Sequence, residues 1–366
     1  MKPTEERVLL PGLVRLLMLL TAPLVLVVVV VIIQFYSPVA ASAPVANEAT
    51  DGPPLPGSYH RPAVRAPDTA TIPPTTAGRQ IRYGQELIAH TARYLGPRGS
   101  VAHLTNGMNC QNCHLQAGTQ GFTNNYLAVA ATYPKLRARS GTVVSIEQRV
   151  ADCMERSLNG QAVPDSSREM RAIVAYIMWL GQGIPKGKKV YGTGFVKLPY
   201  LARAADQVVG KAVFATKCQR CHGPAGQGQP LADNTGYQYP PLWGPNSYND
   251  GAGLFRVTNL ARYVKAAMPF GATFDQPQLT NEQAWDVAAF VNSQPRPHLA
   301  TPHDWPDISK KPVDHPFGPY ADGFSEKQHK FGPYQPIEDA HPQARQSQLI
   351  SSCLRGPGYS TARPIP

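Results

Sequence analysis

Two pentapeptides in this chain follow one pattern, Cys110-Gln111-Asn112-Cys113-His114 and Cys218-Gln219-Arg220-Cys221-His222. Such a pattern suits covalent haem attachment: each sulfur forms a thioether with a porphyrin vinyl, and the adjoining imidazole binds the iron. A zinc site would need further Cys or His ligands at finger spacing, yet no histidine lies between His114 and His222. The chain is therefore expected to carry two covalently bound haem c groups, with His114 and His222 as proximal iron ligands.

Each iron has a second axial position. After His222 the sequence holds a single methionine, Met268, in Ala267-Met268-Pro269. Class I cytochrome c domains place their distal thioether in such a loop before the terminal helix, and Met/His ligation raises a haem's potential. Met268 is expected as the second iron's ligand, with Lys265 as the nearest rival. The first module offers Cys153, Met154, Met170 and Met178 after His114. The spacing of Met170 and Met178 along a helix reads as core packing. Cys153 lies near Arg149 and Arg156, with Arg139 further back. Neighbouring cations favour a thiolate, which binds iron strongly, whereas a lone cysteine can equally be a small buried hydrophobe. On the residues alone, Cys153 and Met154 both stand as candidates.

The elements that must position these groups occur twice. Gly84–Leu95 and Asp206–Thr216 have helical spacing and each leads towards a Cys-x-x-Cys-His pentapeptide. A Gly/Pro-rich loop follows each pentapeptide, then an amphipathic helix. In the first module this helix spans Ser166–Leu180, with Met170, Ile173, Val174 and Ile177 on one face and Ser166 or Ser167 as N-cap. In the second it spans Thr280–Val291, with Thr280 as N-cap and Gln283 completing a capping box. The fold class is mainly α: two class I cytochrome c-type domains in tandem, with an N-terminal membrane segment and an extended Pro-rich C-terminal segment.

Composition agrees with that reading. Only 16% of residues are charged while 37 are proline, which suits small domains rich in loops. The six cysteines leave only Cys153 and Cys353 beyond the haem motifs, too few for a disulfide framework. A net charge of +11 suits either steering of a small anion or acidic partner, or an ordinary basic surface. Nucleic acid is not expected as a partner. Lys2, Arg7 and Arg15 precede an apolar run from Leu16 to Ile33, roughly the minimum for a membrane span. This run is either an uncleaved anchor or a signal peptide cut after Val39-Ala40-Ala41, and both place the body outside the cytoplasm. The expected divisions are residues 1–35 signal peptide or anchor, 36–77 flexible tether, 78–185 first haem domain and 186–205 linker. They continue with 206–298 second haem domain, 299–337 extended closing segment and 338–366 tail.

The segments Asn106–His114, Arg149–Gly160, Gly192–Gly194, Lys217–Gly223, Pro240–Gly244 and Gln283–Val291 resemble the tetrathionate-forming thiosulfate dehydrogenases, as do Lys311–Asp314 and Gln328–Ile337. The resemblance covers about Arg79 to Ile337. It implies that Cys153 is the distal thiolate ligand of the first, catalytic haem. It further implies that Arg139 and Arg149 bind substrate and that Ser157 lines the same pocket. Some relatives carry a lysine just before the distal methionine of the second haem, where this chain has Ala267. A lysine/methionine ligand exchange is therefore not expected here.

The implied chemistry joins two thiosulfate dianions into tetrathionate, releasing two electrons and no protons. Arginines suit it, because their paired N–H donors fit sulfonate oxygens. A soft cysteine sulfur can accept the sulfane sulfur of one thiosulfate before a second attacks. Electrons would pass to an external acceptor such as a small cytochrome c or an oxidase, and the reverse reaction is also allowed. The expected location is the periplasmic side of a bacterial inner membrane, anchored, or free in the periplasm if the leader is cleaved. A membrane-tethered electron-transfer subunit would share both haem motifs and Met268, but would not need Cys153 among arginines. A dihaem peroxidase would usually require a distal histidine that the first module lacks.

Overall fold

A computed structural model describes residues 64–340 apart from Lys189. The apolar run Leu16–Ile33, most of the expected tether and the tail with Cys353 lie outside the described residues. Among those residues no helix is long and apolar enough to cross a membrane.

Six helices of eleven residues or more carry the fold: α1 (Thr76–Ala89), α2 (Ile146–Arg156), α3 (Arg168–Leu180), α4 (Gln207–Lys217), α5 (Val257–Ala267) and α6 (Asn281–Ser293). Five of them, all but α5, start at side chains that accept orphan backbone N–H groups. Ser167 accepts from Met170, Asp206 from Val208 and Val209, and Thr280 forms the expected capping box with Gln283. The remaining regular structure is slight. Two short antiparallel pairs occur, β1 (Lys135–Arg137) with β2 (Thr142–Val144), and β3 (Gln229–Pro230) with β4 (Tyr237–Tyr239).

The module repeat expected from the sequence is present as one helix crossing made twice, α1 on α3 and α4 on α6. A glycine sits at each crossing. A Cβ on Gly84 would lie 1.9 Å from the Ala172 carbonyl oxygen and 2.8 Å from Tyr176 Cβ. A Cβ on Gly210 would lie 1.9 Å from the Asp286 carbonyl oxygen and 2.9 Å from Phe290 Cβ. Only glycine permits this backbone approach, so the helices of each module meet in direct contact. Around the first crossing lie Leu87, Ile88, Ile173, Tyr176 and Ile177; around the second lie Phe214, Leu260, Trp285 and Val287. Met170, Ile173 and Ile177 are buried as expected, but Met178 is not a core residue: it is 47% exposed, one position past the buried face.

A third cluster joins the modules. Leu95, Met108, Met154 and Met170 of the first pack with Tyr248, Ala252 and Phe255 of the second. The closing segment adds polar ties to both. Asp304 accepts two hydrogen bonds from Arg156 of α2, at 2.8 and 2.9 Å, while Asp314 pairs with Arg256 and Thr258 beside α5. Tyr334 is buried in the second core against Trp285. Part of the expected tether is likewise packed: Ile72 is 2% exposed and its carbonyl accepts from Arg82.

Replacing Gly84 or Gly210 with alanine should overpack a crossing and cost about 1–3 kcal/mol. Denaturant unfolding of the holoprotein should show this as a lower midpoint. Gly253→Ala, where the added carbon meets nothing within 4 Å, should leave the midpoint nearly unchanged.

Candidate functional site

The first haem motif is pinned to the helical turn before it. Cys110 N–H donates to Thr91 Oγ1 at 3.0 Å, and Ala92 N–H donates to Asn109 Oδ1 at 2.8 Å. The Nδ1 of His114 lies 2.6 Å from the Asn124 carbonyl oxygen. A carbonyl can only accept, so Nδ1 carries the proton and Nε2 keeps its lone pair for a metal. The second motif repeats the device, with His222 Nδ1 2.8 Å from the Pro240 carbonyl oxygen. Burial holds His222 below its ordinary pKa, which favours the neutral imidazole that a metal requires.

Helix α2 supplies the opposite wall. Ser145 and Gln148 cap it reciprocally at 2.9 and 3.2 Å, and the helical repeat then sets Arg149 and Cys153 one turn apart on one face. Arg149 Nη1 donates to Cys153 Sγ at 3.0 Å. Burial pushes the Cys153 thiol up, but Arg149 and a hydrogen bond with His114 outweigh it and bring the thiol down to about 6. Cys110 and Cys113 lack such a neighbour, and burial raises them to about 11 and about 12. Cys153 is thus the one thiol of the first module held as an anion at neutral pH. Met154 also borders the cavity formed by these residues and is fully buried in the cluster that joins the modules.

Cys110, His114, Arg149 and Cys153 line one cavity of about 340 Å³. Its walls include the apolar Ile88, Val129, Ile146, Val150, Ile173 and Ile177. Thioether-forming thiols, an imidazole whose Nε2 lies towards Cys153, and an apolar slot between them fit haem c. In the second module Met268 follows α5 directly and packs, half-buried, against that module's core. Lys265 Nζ donates to the Leu279 carbonyl oxygen at 2.6 Å.

The structure separates the other expected site residues. Arg139 is not in the described lining of this cavity; its guanidinium pairs with Asp152, and its carbonyl accepts from Trp305 N–H at 2.6 Å. Ser157 is also outside the lining and ends α2, its N–H donating to the Cys153 carbonyl at 2.8 Å. Sequence reasoning missed Tyr133, Lys135 and Arg137, which do line it, and Thr193 and Gly194 from the linker. The alternation Lys135-Leu136-Arg137 is the period-two signal that could have placed two cations on one strand face.

The SoxA/TsdA cytochrome c domain family matches residues 101–185, and the cytochrome c family matches residues 208–295. The thiosulfate dehydrogenase of Psychrobacter arcticus is 37% identical over 249 residues, 68% of this chain and 73% of that protein. The thiosulfate dehydrogenase of Allochromatium vinosum is 37% identical over 244 residues, 66% of this chain and 87% of that protein. Among solved structures, thiosulfate dehydrogenase TsdBA from Marichromatium purpuratum in its as-isolated form superposes with a TM-score of 0.60 at 30% identity. That match covers 74% of this chain, which spans about half, 54%, of the solved chain. Two cytochrome c domains in such company carry two covalently bound haem c groups. With both haem motifs set in duplicated helical frames and relatives of this identity and coverage, the chain belongs to the thiosulfate dehydrogenase family.

Proposed function

We propose that this protein oxidises two thiosulfates to tetrathionate in the first module and passes the two electrons through the second to an external acceptor. The observation that carries this reading is the half-buried Cys153 sulfur, 3.0 Å from Arg149 Nη1 and sharing with His114 a cavity lined by further cations. A pure electron-transfer domain has no use for an anionic sulfur beside a guanidinium.

Each haem, when bound, supplies a one-electron redox centre, so two match the two electrons that the coupling releases. No proton moves in the reaction, and the residues need supply no general base. Their task is electrostatic, since two dianions must meet. Arg149 offers charge-assisted donors to sulfonate oxygens next to the Cys153 sulfur. Cys153 would hold the first iron opposite His114, and Met268 the second opposite His222. A thiolate at the first and a thioether at the second would order the two potentials low to high. Arg139 contributes by holding Asp152, which would otherwise leave an uncompensated carboxylate near the thiolate. Ser157 contributes by closing α2 on the Cys153 carbonyl. The acceptor is a small cytochrome c or an oxidase on the periplasmic side, reached by a protein that is anchored or released there.

Cys153→Ala should abolish thiosulfate-dependent ferricyanide reduction while both haems stay covalently attached. Electron paramagnetic resonance of the oxidised wild type should show one thiolate-ligated low-spin haem beside a Met-ligated one; two His/Met signals would remove the proposal's basis. Arg149→Gln removes a hydrogen bond from a charged group, worth about 1.5–3 kcal/mol. Catalytic efficiency should fall roughly 10- to 150-fold, at 1.36 kcal/mol per factor of ten. Arg149→Lys keeps the charge without the planar fork and should recover only part.

Met268→Gly should lose the weak long-wavelength absorption of a thioether-ligated ferric haem and lower the second haem's potential. Lys265→Ala should leave that absorption in place, because the lysine ammonium is engaged by the Leu279 carbonyl. Absence of the band from the oxidised wild type, with its appearance in Lys265→Ala, would transfer the ligand to Lys265.

A further inference from the structure

Resting on the thiosulfate-coupling reading, we propose that Lys135 and Arg137 form a second anion station, which holds the incoming sulfonate while the first thiosulfate occupies the Arg149–Cys153 pair. The β1–β2 hairpin places them. Lys135 faces Val144, Leu136 faces Val143 and Arg137 faces Thr142 across the ladder. Directly paired residues share a face, and alternate pairs point to opposite faces. Val144 is only 7% exposed and belongs to the first module's core, so the face it shares with Lys135 and Arg137 is the inner one. The outer face carries Leu136 and Val143, which are 65% and 62% exposed. The hairpin therefore turns two apolar side chains to solvent and sets the exposed Lys135 and the half-buried Arg137 at the cavity's edge. A register shift by one residue would bury the apolar pair and expel the charges.

The cations are arranged in depth. Both line the same cavity as Arg149 and Cys153. Arg137 Nη1 donates to the Tyr133 hydroxyl at 2.9 Å, which takes one of the guanidinium's five N–H donors. Tyr133 in turn lies close enough to Arg149 to interact with its charge. Beyond this row is a second cavity of about 430 Å³ that shares Thr132, Tyr133 and Lys135 as its wall with the first. Lys186 lines that outer cavity and fixes the wall, its Nζ donating to the carbonyls of Ala130 and Tyr133 at 2.7 and 2.6 Å. Among the described residues neither lining includes an Asp or Glu. The nearby Asp152 is turned to Arg139 and Arg156.

Coulomb repulsion scales with the product of the charges, so two dianions repel roughly four times as strongly as two monoanions at one distance. One arginine beside Cys153 leaves most of that repulsion in place. A pair of cations elsewhere on the same cavity wall lets the second dianion approach without displacing the first. Sulfonate oxygens suit both groups, the Arg137 fork geometrically and the Lys135 ammonium as a point charge.

The test uses the holoprotein with Lys135→Gln, Arg137→Gln, Arg137→Lys and the double Gln variant. Thiosulfate turnover is measured for KM and kcat separately. Binding of dithionate, a dianion with two sulfonate groups and no sulfane sulfur, is measured by calorimetry on the oxidised protein. The double variant should raise KM at least tenfold with kcat within twofold, and weaken dithionate by a similar factor. Arg137→Lys should recover part of both, and Leu136→Ser on the outer face should change neither. Unchanged dithionate affinity in the double variant overturns the station whatever KM does, and so does an equal loss in Leu136→Ser. If the wild type turns over no thiosulfate, the parent reading falls while dithionate still decides the station. Dithionate that fails to bind the wild type removes it.

Discussion

A thiol buried away from water stays protonated unless a cation lies against it, and here the Arg149 guanidinium is 3.0 Å from Cys153 Sγ. Most of the first module can be understood as support for that pair. Breaking a buried ion pair by removing one partner typically costs about 3–5 kcal/mol, so the two residues must be delivered together. A single helix does this, because residues four apart lie one above the other. The reciprocal Ser145/Gln148 cap fixes where that helix begins. Its C-terminal end is held by Arg156 on Asp304 and by Asn249 Nδ2 on the Glu155 carbonyl at 2.8 Å. The thiolate's helix is therefore tied at one end by its own sequence and at the other by the closing segment and the second module.

The two modules share a frame and differ in its use. Gly84 and Gly210 allow the same backbone approach, and the Nδ1 of each proximal histidine is held by a backbone carbonyl. These are the parts that any covalently attached haem needs. What differs is the far side of each slot. In the first module a charged helix and two cationic strand residues border the cavity; in the second no such helix is present among the described residues, and Met268 directly follows α5. The two modules therefore share a scaffold, and the charged helix α2 sets the first apart.

Much of this was legible in the chain itself, for local reasons. The paired haem motifs, the Thr280/Gln283 cap and the buried face of Met170, Ile173 and Ile177 depend on neighbours within a few residues, which sequence displays. Met178 misled because it lies one position beyond that face and turns to solvent. The fates of the arginines were hidden for a different reason. Arg139 could pair with substrate or with a carboxylate, and only the tertiary structure brings Asp152 to it. Arg137 reaches the cavity through the register of a six-residue ladder, and a one-residue slip would have sent it to solvent. Likewise Thr193 and Gly194 join the site through linker backbone, with Asn124 N–H bonded to the Gly194 carbonyl at 2.9 Å. That linker carries no periodic pattern from which such a contact could be read.

The closing segment resolves a tension in this arrangement. A cavity that must attract dianions needs uncompensated positive charge, and that charge repels itself. Arg149 and Arg156 lie on α2 within about a turn of Cys153, Arg139 approaches from the β1–β2 turn, and like charges so gathered repel. Asp152 and Asp304 answer the two arginines outside the cavity and leave Arg149 to the thiolate. Asp304 comes from far along the chain and arrives with Trp305, whose N–H also binds the Arg139 carbonyl. The segment therefore sorts the arginines into those neutralised by carboxylates and those kept for anions. It does so from outside the haem domains, which explains how a chain built from two ordinary modules can hold a cationic site without losing the fold around it.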